Sequence, residues 1–154
     1  MKSFKYVLIV VLLLTAYYLI SPLFRVIEIN EEFPSSSQQM IENEFDSQQI
    51  IVKRSELQAR KHKVKGSVLL IENNENRILR FEDFETVNGP NLHIYLASDE
   101  TVENFVDLGP IKATKGNVNY ELPRDLDLEK YNTVLVYCVP FKAVFSLAEL
   151  QVSF

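Results

Sequence analysis

The 154-residue chain has one cysteine, two histidines, four glycines and no tryptophan. A single cysteine excludes an intramolecular disulfide and any cysteine-rich metal or iron–sulfur site. Four glycines and six prolines are too few for a collagenous or low-complexity chain. The net charge of -5 argues against nucleic acid as a partner, because nucleic-acid binding needs a basic surface. Nucleotide-binding and Gly-x-Ser-x-Gly motifs are also missing, so the sequence predicts no cofactor and no enzyme class.

Apolar residues are concentrated at the N-terminus, where no charged residue occurs from Tyr6 to Phe24. A helix needs about 20 apolar residues to cross the hydrocarbon core of a bilayer. Two lysines precede the run and one arginine follows it, which favours a cytoplasmic N-terminus. We therefore predict a transmembrane signal anchor over residues 1–25, which holds the C-terminal domain outside the cytoplasm at the cell membrane. A cleaved signal peptide and a buried soluble helix are the alternatives.

The next two segments differ in charge. Residues 26–44 hold five acids and no base, and a run of three serines follows Pro34. This composition predicts a solvated acidic tether. Between Lys53 and Lys65 there are six bases and one histidine against one acid. We interpret this basic run as a solvated face that nearby carboxylates balance, and a patch for an anionic partner or lipid headgroups is the alternative.

From about residue 45 the apolar residues recur mostly with a period of two, which is typical of β-strands. Val64 to Glu72 and Arg77 to Phe81 predict a hairpin, and Leu92 to Leu96 alternate in the same way. Thr133 to Val139 is a β-branched and aromatic run. Seven or eight short strands separated by turns predict an all-β fold, either an antiparallel sandwich or a barrel.

Five blocks of sequence make the prediction more specific. They are Asn88 to Leu92 with Ile94 to Leu96, Val106 to Lys112, Gly116 to Pro123, Asp125 to Val134, and a closing set of Tyr137, Cys138, Phe141, Phe145, Ala148 and Leu150. In this order they resemble the DM-thirteen domain, often labelled an electron-transfer domain, which occurs beside DOMON domains and as membrane-anchored single domains in microbes. The resemblance implies a jelly-roll-like antiparallel β-sandwich over residues 45–154, preceded by the transmembrane helix.

Cys138 is the residue on which a redox function depends. The resemblance implies a redox-active thiol there, because the family's cysteine near the C-terminal end has been proposed for that role. The neighbouring residues predict instead a strand that is apolar on both faces, and a buried free cysteine is usually inert. Metal or haem ligation is a third alternative. Tyr137 stands where the family usually has tryptophan, and we expect this change to alter how the cysteine is covered. Ser146 stands where glycine is common.

Loop residues are the other candidates for function. Asn91, Asn119 and Tyr120 lie in two segments that we predict to be loops, and loops on a rigid sandwich often bind ligands. His62 and His93 lack the close spacing of a dedicated metal site, so no metal is predicted. Two hypotheses result. The chain is either an accessory in electron transfer or thiol redox at the membrane, or a non-catalytic cell-surface binding or structural module with an inert cysteine. The expected partners are membrane lipid and a redox or cell-surface protein.

Overall fold

The computed structural model of the chain describes residues 2–20, 25–34, 51–72 and 76–150. These residues form one helix, α1 (Lys2–Ile20), and ten strands. The strands are β1 (Glu28–Asn30), β2 (Ile51–Glu56), β3 (Gln58–Ala59), β4 (Val64–Glu72), β5 (Arg77–Thr86), β6 (Leu92–Ala97), β7 (Phe105–Pro110), β8 (Lys115–Glu121), β9 (Thr133–Cys138) and β10 (Ala143–Glu149). Residues 35–50 contain most of the predicted tether and the start of the predicted domain, and they lie outside the described part.

The strands form two five-stranded sheets. One sheet has the order β1-β8-β5-β4-β2 and the other has the order β3-β10-β9-β6-β7. Neighbouring strands are antiparallel except for β1 and β8, which are parallel. The predicted all-β, antiparallel architecture is confirmed. The jelly-roll-like connectivity stays a prediction, although the neighbours β5–β8 and β6–β9 are not consecutive along the chain, which is a feature of Greek-key sandwiches.

The N-terminal helix forms where the apolar run predicts one, but the transmembrane prediction is not supported. Among the described residues, no helix is both long enough and apolar enough to cross a membrane. The predicted anchor also includes residues 21–24, which lie outside the described part of the chain.

The core lies between the two sheets, and β9 is at the centre of one of them. Val134, Val136 and Cys138 point into the main core cluster, while Leu135 belongs to a smaller cluster on the outer face of the same sheet. Val102, in the connection between β6 and β7, packs against the outer cluster together with Tyr137, Val139 and Val144. The prediction of a strand that is buried on both faces is therefore confirmed.

The tether prediction is wrong for its first part, because Glu28–Asn30 form a strand of the sandwich. Glu28 pairs with Lys115 and Asn30 pairs with Asn117. Gly116, between those partners, has a φ of 109°, and a Cβ atom there would collide with the carbonyl oxygen of Ile29. The acidic composition suggested solvation, but the backbone of this segment finds hydrogen-bond partners along the free side of β8.

Candidate functional site

Cys138 is enclosed in the sheet. It pairs with Leu92 of β6 on one side and with Ala143 of β10 on the other, and its side chain is fully buried. The thiol donates a hydrogen bond from Sγ to the carbonyl oxygen of Pro90, 3.3 Å away. The turn that carries Pro90 is fixed by Asn91, which has a φ of 52° and whose carbonyl accepts a hydrogen bond from the backbone of Val139.

This environment favours an unreactive thiol. Thiol exchange needs a sulfur atom that the other protein can reach, and the sulfur of Cys138 is fully buried. His93 is paired with Tyr137, so it lies on the opposite face of the sheet from Cys138. In the part of the chain that the structure describes, no group of three histidine, cysteine or acidic residues could hold a metal ion.

Tyr137 does not cover the cysteine, contrary to our expectation, because successive residues of a strand point to opposite faces. Its ring stacks on Tyr95 with 4.9 Å between centroids, and Tyr95 stacks on Phe105 at 4.3 Å. Burial raises the pKa of Tyr95, and the charge of Asp107 acts in the same direction. The three rings therefore form an aromatic stack on the outer face of the sheet, separate from Cys138.

Asn91 lies in a turn, as predicted, and belongs to a polar cluster with His93 and Asp107. The Nδ1 atom of His93 is 2.9 Å from both carboxylate oxygens of Asp107, and its Nε2 atom is 3.1 Å from Oδ1 of Asn91. Sequence reasoning did not pair His93 with Asp107, because the two residues come from different strands of the sheet.

Asn119 and Tyr120 were predicted to lie in a loop, and this is wrong because both belong to β8. Asn119 accepts a hydrogen bond from Arg80 and donates one to the carbonyl of Glu32. Tyr120 is buried, and its hydroxyl accepts a hydrogen bond from the backbone N–H of Lys112 at 2.9 Å. Burial raises the pKa of Tyr120 to about 12. Asn119 therefore fixes the N-terminal segment and Tyr120 is a core residue, and both belong to a different sheet from β6, which follows Asn91.

The basic run from Lys53 to Lys65 is partly neutralised, as its interpretation as a solvated face predicts. Arg54 pairs with Glu82, Arg60 with Glu100 at 2.6 Å, and Lys65 with Glu85 at 2.9 Å. Hydrogen bonds from two arginines outweigh the effect of burial and lower the pKa of Glu82. Lys61 and Lys63 form no ion pair with any residue in the described ranges.

A pocket of about 370 Å³ opens beside this run, and sequence reasoning did not find it. Its lining comes from strand β10 and from three connections, those between β3 and β4, between β5 and β6, and between β9 and β10. We call it the Phe141 pocket; its lining residues include Lys61, His62, Pro90, Phe141 and Phe145. The sequence carried one signal for it, since His62 lies in the basic run, but the residues are too far apart along the chain to be linked by pattern.

Comparison with known proteins identifies the family. The family model described as Electron transfer DM13 matches residues 56–150, from the end of β2 to the residue after β10. A search of curated proteins found no match, and neither did a search of solved structures. The match covers more than half of the chain and includes the cysteine, the aromatic stack and the Phe141 pocket. The chain therefore belongs to the DM13 family.

Proposed function

We propose that the chain is a binding module, attached to the cell membrane with its sandwich outside the cytoplasm, in which Cys138 is a structural residue. The observation that carries this proposal is the state of the thiol, which has 0% exposure and donates its hydrogen to Pro90. A thiol that exchanges electrons or disulfides with another protein must present its sulfur to that protein. In this sandwich the sulfur is a small core group between β6 and β10.

Membrane attachment is supported by the exposed apolar surface of α1. The large side chains of this helix from Tyr6 to Leu14, and those of Tyr17 and Tyr18, are all more than half exposed. An apolar surface of this extent needs lipid or protein to cover it. The lysines at its start and the single arginine after it support an orientation with the N-terminus inside the cell.

An accessory role in electron transfer is the second candidate, and the description of the family favours it. This role could use Cys138 only if the thiol became reachable, for example through opening of the turn that carries Pro90. The two candidates therefore differ in one measurable property, the reactivity of the thiol in the folded protein.

Alkylation of the full-length chain by iodoacetamide tests the role of Cys138. We expect the native protein to react more slowly than the urea-unfolded protein by a factor on the order of 10³ or more, because the thiol must wait for local opening. The Cys138→Ser/Glu121→Cys double variant is the control, since residue 121 is exposed in β8 and its thiol should react at the rate of a free cysteine. If native Cys138 reacts as fast as this control, the result favours the electron-transfer role and contradicts the structural role of the thiol.

Fractionation and protease protection test the location. We expect the full chain to stay in the membrane pellet at alkaline pH, and protease added outside the cell to remove the sandwich. Release of the chain into the supernatant, or a sandwich that is digested only after the cells are broken, would contradict the proposed attachment or its orientation.

A further inference from the structure

The Phe141 pocket combines an apolar wall with a rim that carries positive charge. Phe145 forms part of the wall, and the ring of His62 packs on it with 4.1 Å between centroids. Pro90 and Ala143 contribute further apolar surface. Phe141 is 71% exposed, an unusual position for a phenylalanine of a folded domain. The volume of about 370 Å³ lies in the range of small-molecule sites, which runs from roughly 300 to 1,000 Å³.

No acidic residue in the described part of the chain pairs with the positive charge of the rim. No acidic residue lines the pocket, and Lys61 forms no ion pair or side-chain hydrogen bond there. The ring nitrogens of His62 also have no hydrogen-bond partner in the described ranges. The adjacent Arg60, by contrast, is neutralised by Glu100 at 2.6 Å. In a chain with a net charge of -5, an unneutralised cation beside an aromatic wall is a feature that an anionic ligand would complement.

We propose that the Phe141 pocket binds an anionic amphiphile. Its carboxylate or phosphate lies against Lys61 and His62, and its aryl or acyl part packs on Phe141 and Phe145. Such a ligand has two sources, a free organic acid in solution or an anionic lipid of the bilayer. Asn88, which lines the pocket, donates a hydrogen bond of 3.4 Å to the carbonyl of Arg25, five residues after the end of α1. The pocket itself stands on its own geometry, whereas the lipid source rests on the membrane attachment proposed above.

The absence of tryptophan makes a direct binding assay possible. A Phe141→Trp variant keeps an aromatic ring in the pocket and gives the full-length chain a single tryptophan. The chain is placed in nanodiscs of phosphatidylcholine and titrated with 4-phenylbutyrate, and the tryptophan emission is recorded. We expect a saturable change in emission. The uncharged analogue 4-phenylbutan-1-ol should bind about tenfold more weakly, because it lacks the charge that Lys61 attracts.

Two variants in the Phe141→Trp background identify the cation. Lys61→Glu should weaken the binding of 4-phenylbutyrate by about tenfold or more, since it replaces attraction by repulsion at the rim. Lys130→Glu changes the net charge by the same amount in the connection between β8 and β9, and it should leave the affinity unchanged. A Phe105→Trp variant, with its tryptophan on the outer aromatic stack, should show no saturable response.

Brominated lipids distinguish the two sources, because bromine quenches tryptophan only in contact. Quenching at position 141 by brominated phosphatidylglycerol, but not by brominated phosphatidylcholine, assigns the site to an anionic lipid. A response to 4-phenylbutyrate without quenching assigns it to a free acid. If neither probe gives a response that depends on Lys61, or if the uncharged analogue binds equally well, the proposal is overturned. Loss of membrane attachment in the fractionation experiment would remove the lipid source and leave the titration with 4-phenylbutyrate unaffected.

Discussion

Arg80 connects the N-terminal segment to the sandwich, and its replacement is the most informative test of the fold. Its side chain is only 5% exposed. The Nε atom donates to Glu82 at 3.0 Å, and Nη1 donates to the carbonyls of Glu31 and Glu32, both at 3.1 Å, and to Oδ1 of Asn119 at 2.9 Å. One guanidinium group therefore holds residues on both sides of the junction between β1 and the sheet.

The expected loss in the free energy of unfolding depends on which contacts of Arg80 each replacement removes. Breaking a buried ion pair from one side typically costs about 3–5 kcal/mol. Glu82 keeps its second partner, Arg54, and is 20% exposed, so Arg80→Met should lower the free energy of unfolding by about 3 kcal/mol, at the lower end of that range. In Arg80→Lys the lysine keeps the charge but cannot reach all four acceptors. This variant should lower the free energy of unfolding by about 1–2 kcal/mol.

Urea unfolding of the full-length chain in a mild detergent measures the loss of stability, and hydrogen exchange measures the loosening of β1. The backbone N–H of Glu31 donates to the carbonyl of Asn117 at 2.8 Å, so its exchange reports directly on the attachment of β1. We expect Arg80→Met to accelerate this exchange more than that of amides in β9. Lys130→Met, at an exposed position, should change stability by less than about 0.5 kcal/mol. An unchanged Glu31 exchange rate in Arg80→Met would refute the role assigned to Arg80.

Three further predictions concern single side chains. Ultraviolet titration should show a phenol that ionises at about pH 12 and is missing in Tyr120→Phe. Because folding raises this pKa, the stabilisation is complete below about pH 10 and is lost as the pH rises through 12, so a urea midpoint that does not fall over this interval would contradict the assignment. Ser146→Ala should raise the free energy of unfolding by about 1 kcal/mol, because the buried hydroxyl of Ser146 has no hydrogen-bond partner among the described residues; a lower melting temperature would count against this account. Gly116→Ala should displace β1 through collision with the carbonyl of Ile29, and full protection of the β1 amides in this variant would show that the sheet can adjust.

Local sequence patterns predicted those strands in which the alternation of side-chain direction shows in the residue types. β4 has the predicted bounds of Val64–Glu72, and β9 ends one residue before the predicted Val139. The burial of Cys138 could also be read from the sequence, because apolar residues on both faces of a strand require cover on both sides. These predictions are correct because the direction of the side chains in a strand alternates with every residue.

The errors come from contacts between distant parts of the chain. The acids near Glu28 suggest a solvated segment. Nothing in the local sequence shows that this segment pairs with β8, or that Arg80, about 50 residues later, donates a hydrogen bond to the carbonyl of Glu31. Asn119 and Tyr120 follow a glycine and look like turn residues, but Gly116 is needed for the approach of β1 rather than for a turn. The Phe141 pocket is formed by β10 and three connections, which meet only after both sheets have assembled.

The short parallel strand β1 has a consequence for how the domain can be isolated. It occupies one edge of its sheet, and β2 occupies the other. A fragment limited to the family match at residues 56–150 would lack β1 and nearly all of β2. The backbone hydrogen-bonding groups of β8 and β4 would then be unpaired at both edges, which is the arrangement that promotes edge-to-edge association between chains. Such a fragment should aggregate, whereas one that begins at Arg25 retains the strands that shield both edges.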